Sequence, residues 1–278
     1  MADGIYKSRV CFGGLPIAWS RCTLNTSNVY NLSRRPVPDS YSSSVTMGPS
    51  TSGGLISIPA YDIYDTDASC DFLQVLNGVL NTVEPIDITV DYVSDVRVFY
   101  NCYIDAVNIN CGNGSYVSCD VQVSSQGWEY STYPTDIGQT YPQKLVTSYR
   151  TAVSGCDIIT DNVSEWSISI KRNNVYKHTW DGYRSFSHVG IGAVDVSGSI
   201  TTIERQELRG SESIDFLLGE SIDNDDIGLR VHSAIWDEDP TDLDNHSNRI
   251  TQKFSFTSVG DYVYRPIYVI TGDWDGLT

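Results

Sequence analysis

The chain has 278 residues, of which 40% are apolar and 19% charged. That length and apolar content support one large or two medium domains and exclude a disordered chain. The 35 acidic against 18 basic residues give a formal charge of −17, which repels nucleic-acid backbones and anionic lipid and argues against a protein that grips either.

Ser, Thr, Val, Ile and Tyr dominate, a bias that suits pleated, half-buried surfaces, so the predicted class is mostly β. Residues 1–20 read as an N-terminal arm. Lys7 and Arg9 precede the run Val10 to Ile17, which is too short and too broken by Gly and Pro to predict a secretory leader. No run of about 18 apolar residues occurs, so no membrane-spanning helix is predicted.

Residues 21–130 read as a first β module. Within it Thr66-Asp67 caps a predicted short helix, with Phe72, Leu73, Leu76, Val79 and Leu80 at helical spacing. A closing hairpin runs from Cys102 to Ile109, turns at Cys111-Gly-Asn-Gly-Ser115 and returns from Val117 to Val123. The Asn-Gly pair between alternating strands is its signal. Residues 131–160, rich in Thr, Ser, Tyr and Pro, read as a linker.

Residues 161–278 read as a second β module. Trp166–Ile170 alternates with period 2, and Val194–Ile203 predicts a long strand. Ser211 or Ser213 is expected to cap a short helix through Ile214, Leu217 and Leu218. A closing hairpin is expected from Phe254–Ser258 to Tyr262–Ile270, turning at Val259-Gly260-Asp261.

The two modules share an internal repeat. Asn28-Val29-Tyr30 recurs as Asn174-Val175-Tyr176 at an offset of 146, and Ser52-Gly53-Gly54-Leu55 as Ser197-Gly198-Ser199-Ile200 at 145. Asp71-Phe72-Leu73 recurs as Asp215-Phe216-Leu217 at 144, and Val123 to Trp128 as Val269 to Trp274 at 146. Four matches in one order predict two tandem β-sandwich or barrel modules, each with one short helix.

Seven cysteines without a C-x-x-C spacing predict reduced, mostly buried thiols, with a Cys111–Cys119 link across the hairpin turn as the less favoured reading. The spacings of the common catalytic motifs are missing, none of the four His pairs at i, i+4, and no cofactor or metal is predicted. The sharpest polar cluster is Asp223, Asp225 and Asp226 followed by Asp237, Glu238, Asp239, Asp242 and Asp244. It reads as a solvated acidic loop, as a Ca²⁺ loop lacking the EF-hand Gly and terminal Glu, or as carboxylates that keep a channel negative.

Glu165 to Asn174, then Val189 to Ile203, the segment Asp215–Leu218 and the closing Thr257 to Trp274 together resemble phage tail tube proteins. So does the opening Phe12-Gly-Gly-Leu-Pro-Ile17. The likeness is strongest over residues 165–278 and weaker over 28–128, where Arg34-Arg35-Pro36-Val37-Pro38 and Ser40–Ser44 replace a clean strand. It implies a structural virion protein without enzymatic activity, made in the host cytoplasm and located in the tail. In that family strands of ring-forming subunits close into a continuous barrel. A two-module chain would then close a pseudo-sixfold ring with three copies. The eight acidic residues named above would line a lumen through which DNA passes without sequence-specific binding. Expected partners are further copies of the chain and other tail proteins such as tape measure, sheath or terminator. The competing readings are a baseplate hub or distal tail protein of the same fold, a capsid decoration or fibre-associated protein, and a carbohydrate-binding β-sandwich favoured by the 18 Tyr and 6 Trp.

Overall fold

Alternation along the chain produces the strands, and the computed structural model describes residues 9–17, 19–37, 40–59, 80, 84–92, 95–131, 145–178, 186–204, 206, 208, 213–218, 227–237, 242–244, 249–258 and 266–271. In chain order the strands are β1 (Arg9–Phe12), β2 (Leu15–Ile17), β3 (Arg21–Val37), β4 (Ser40–Pro59), β5 (Ile86–Asp91) and β6 (Val96–Cys111). There follow β7 (Ser118–Ser131), β8 (Thr151–Ser154), β9 (Val163–Arg172), β10 (Val175–Lys177), β11 (His188–Gly190) and β12 (Val194–Thr202). The last six are β13 (Ile214–Leu218), β14 (Ile227–Val231), β15 (Ala234–Asp237), β16 (Asp242–Asp244), β17 (Arg249–Ser258) and β18 (Ile267–Thr271).

The larger sheet has 12 strands. Through it runs an antiparallel path β3-β4-β7-β6-β9-β12-β17-β15, which uses strands of both halves of the chain. The halves join where Ala106–Cys111 of β6 pairs with β9, Val107 opposite Ile170 and Ile109 opposite Ile168. The first part of β6 pairs instead with β5, which continues to β1 and β2. One edge of β6 is thus shared end to end by two neighbours.

Period-2 alternation gives this sheet one apolar and one polar face. In β9 Trp166, Ile168 and Ile170 are buried, whereas Glu165, Ser167, Ser169 and Lys171 point the other way. The apolar face receives a second, four-stranded sheet in the order β18-β14-β13-β8. Phe216 of β13 reaches across to Trp166 (centroids 5.0 Å) and to Phe256 (6.1 Å), so aromatic packing binds the layers of the second half. The architecture is a mostly β structure with several sheets.

Three expectations need correction. The helix expected through Ile214, Leu217 and Leu218 is strand β13, paired on both sides, with β8 and β14. Its burial alternates at Ile214, Phe216 and Leu218, and five residues of apolar text are too few to separate the two periods. Among the described residues the hairpin expected from Phe254 to Ile270 does not form, because β17 pairs with β12 and with β15 and β16. β18 crosses to the smaller sheet and pairs with β14. The matching of Val123 with Val269 fails for the same reason, since β7 and β18 belong to different sheets. In addition, the stretch expected as linker contributes β8 and the buried Val146, Val153 and Cys156. The helix expected after Thr66 lies outside the described residues except Leu80, which is helical. The hairpin from β6 to β7 forms as expected, with Ser115 Oγ donating to the Gly112 carbonyl at 2.7 Å in its turn.

The two halves of the path correspond in strand register. Leu24 faces Gly54 between β3 and β4, and Ile168 faces Gly198 between β9 and β12; 168 − 24 and 198 − 54 are both 144. A corresponding shift must carry buried positions onto buried ones, as this one carries the buried Leu24 onto the buried Ile168. The neighbours on the far side also correspond: Val123 of β7 faces Gly54, Phe256 of β17 faces Gly198, and 256 − 123 is 133. The buried Ser125 and Ser258 stand at that same separation. Four strands, β3-β4-β7-β6, therefore have counterparts β9-β12-β17-β15 in the same order.

Candidate functional site

The open polar face of the larger sheet is the candidate functional surface among the described residues. Small hydroxyls and amides dominate it: Ser167 and Ser169 on β9, Ser197 and Ser199 on β12, Ser255 and Thr257 on β17, Asn108 and Asn110 on β6. Cross-strand bonds tie them down. Ser167 and Ser199 hydroxyls share a hydrogen at 3.0 Å, and Ser169 Oγ donates to Asn108 Oδ1 at 2.7 Å. Such side chains are short, and Ser167, Ser199, Ser169 and Asn108 bond one another, so the face presents few long donors.

Charges on this face come from Asp120, Glu165, Asp195 and Asp237 and from Arg21, Lys171 and Lys253. Lys171 and Asp195 stand directly opposite in the ladder. With the Asp105 carboxylate these make five acidic against three basic side chains, so the described part of the face is mildly acidic, in line with the −17 of the whole chain.

One end of the face is roofed by the β10–β11 hairpin. Asp105 is the anchor: it accepts from Tyr176 Oη in a short bond, from Asn174 Nδ2 at 3.2 Å and from Ser124 Oγ at 2.5 Å. Rings of Tyr103, Tyr176 and Phe186 pack beside it, Tyr176 and Phe186 with centroids 4.7 Å apart. Burial, then the Asp105 carboxylate, pushes the Tyr176 phenol well above its ordinary range, so it stays a donor.

Of the acidic residues expected at a lumen, Asp237 is exposed on the open face at the end of β15, opposite Ser255. Asp242 and Asp244 lie in β16, opposite Thr251 and Arg249. Asp223, Asp225, Asp226, Glu238 and Asp239 lie outside the described residues. Among the described residues no group of three His, Cys, Asp or Glu is arranged to hold a metal ion. Cys111 and Cys119 are free thiols, and Cys119 faces Ile109 rather than Cys111. A serine–histidine contact does occur, Ser213 Oγ to His232 Nδ1 at 3.3 Å. The nearby Asp215 is engaged by Arg230 through two bonds of 2.6 Å.

The residues missed by sequence reasoning are the uncharged ones. Alternate Ser, Thr and Asn in β6, β9, β12 and β17 carry no motif, and only their parity against the buried set marks them as one surface. No family model matches the chain, and no curated protein matches it.

Proposed function

We propose that the protein is a structural ring-forming subunit of the tail-tube type, with the open polar face of the larger sheet turned toward a channel for nucleic acid. The observation that carries this reading is the doubled four-strand path under one continuous polar face. Among the described residues the path ends at β3 and at β15 with β16, each paired on one edge only. Long open edges are templates for further pairing, and closure into a barrel removes them. A wall of short hydroxyls and amides, some bonded to one another, with carboxylates outnumbering cations gives phosphates little to bind, and the −17 chain adds long-range repulsion. Asp237 would stand on that wall.

Two modules per chain match a pseudo-sixfold ring of three copies, a heterologous closed assembly. Concentrated protein viewed by negative-stain microscopy should form rings or stacked tubes about 100 Å across, the scale of ring-forming folds of this size. A monodisperse monomer at every concentration overturns the reading.

A further inference from the structure

We infer that the acidic edge formed by β15 and β16 is a strand-pairing site for β3 of a second copy of this chain, in the register that β6 already uses with β9. The inference rests on the ring reading for closure of the assembly, while the joint itself is drawn from the pairing within one chain.

β6 is the last strand of the first four-strand path and β9 the first of the second, and they pair antiparallel. The counterpart of β9 is β3, 144 residues earlier, and β3 pairs only with β4 among the described residues. The counterparts of β6 are β15 and β16, which pair with successive parts of β17. Asn110 faces Ser118 of β7, Asp242 faces Thr251 of β17, and 251 − 118 is again 133. Neither β15 nor β16 has a second neighbour among the described residues. One chain therefore ends in the two halves of a joint that it also contains whole.

Transferring the internal register fixes the external one. Asn110 opposite Ser167 becomes Asp242 opposite Thr23 of the next copy, and Cys111 opposite Trp166 becomes Leu243 opposite Cys22. One step further along, Asp244 comes opposite Arg21, which is exposed on β3. An opposite-charge pair stands where the ladder ends, which favours this partner and register. Asp242 and Asp244 are then assigned to an interface, where the charge of Asp244 helps to select the neighbour.

The test uses a native thiol. Directly opposed residues of antiparallel strands have Cα atoms about 4.5–5.5 Å apart, within disulfide reach. The full-length Leu243→Cys variant, treated with copper–phenanthroline, should give a ladder of covalent multimers on a non-reducing gel. The ladder should vanish in Leu243→Cys with Cys22→Ser. Rings without the ladder overturn the joint and leave the ring reading standing. A ladder without rings supports the joint and overturns closure. Neither rings nor ladder overturns both. Should Leu243→Cys fold poorly, Arg21→Cys with Asp244→Cys probes the next pair of the same register, and the same outcomes apply.

Discussion

Gly198 lies against the carbonyl of Ser167 on the adjacent strand, so that a β-carbon on the glycine would stand 2.3 Å from that oxygen and 2.4 Å from the Phe256 ring. Gly54 repeats the relationship with Thr23, at 1.9 Å, and both pairs are separated by the same 144 residues. Neither backbone oxygen is free to move without opening its ladder. Gly198→Ala and Gly54→Ala should each destabilise by about 1–3 kcal/mol through overpacking. Gly190→Ala, whose β-carbon would meet only Val175 at 3.8 Å, should stay within about 0.5 kcal/mol of the parent. Chemical denaturation of the three variants checks this; equal effects would remove the close-approach explanation.

Arg230 and Asp215 form a two-bond pair on neighbouring strands of the smaller sheet, with side chains only 16% and 14% exposed. Removing one partner strands the other's charge in a poorly hydrated place. Asp215→Ala should cost about 3 kcal/mol. The double variant Asp215→Leu with Arg230→Met should recover much of it, and a denaturant double-mutant cycle measures the coupling.

Thiol burial predicts alkaline sensitivity. Desolvation raises Cys22 from 9.0 to about 11 and Cys102 from 9.0 to about 12. For a raised folded-state value the contribution to stability is complete below pH 9 and is lost as pH climbs through 11 to 12. Melting temperature should fall across that window, and less steeply in Cys22→Ala. A parallel slope in the parent and the variant would assign the loss to other groups.

Under the channel proposal, the open face tolerates added charge while its indifference to nucleic acid does not. Ser197→Lys with Asp237→Lys places two cations on exposed positions of β12 and β15. Stability should change by about 0.5 kcal/mol or less, and assemblies should now retain DNA in a salt-dependent way. Unchanged DNA retention by intact assemblies would count against a lumen on this face.

Sequence pattern resolved faces better than partners. Trp166–Ile170 and Val194–Thr202 were legible because alternation is local, and the β6–β7 hairpin because Asn113-Gly114 marks its turn. The destination of β18 was illegible, since choosing β14 over β17 depends on which edges are filled elsewhere. Ile214–Leu218 misled because five apolar-rich residues fit either period. The sequence matches lie at offsets of 144 to 146, whereas the paired strands β3–β4 and β9–β12 correspond at 144. Asp237, Asp242 and Asp244 stand close together in sequence, whereas register spreads them along β15 and β16, where their meaning depends on what pairs beside them.

The divided edge of β6 also bears on what the chain's continuity is for. β5 holds its first part and β9 its second, so the two halves grip one another through a ladder and not merely through residues 132–144 that connect them. A chain severed in that stretch should yield two polypeptides that remain associated and co-purify, making the connection a matter of stoichiometry more than of cohesion. Covalent linkage then guarantees that every first half meets a second, a sorting problem that two separate chains would have to solve by encounter.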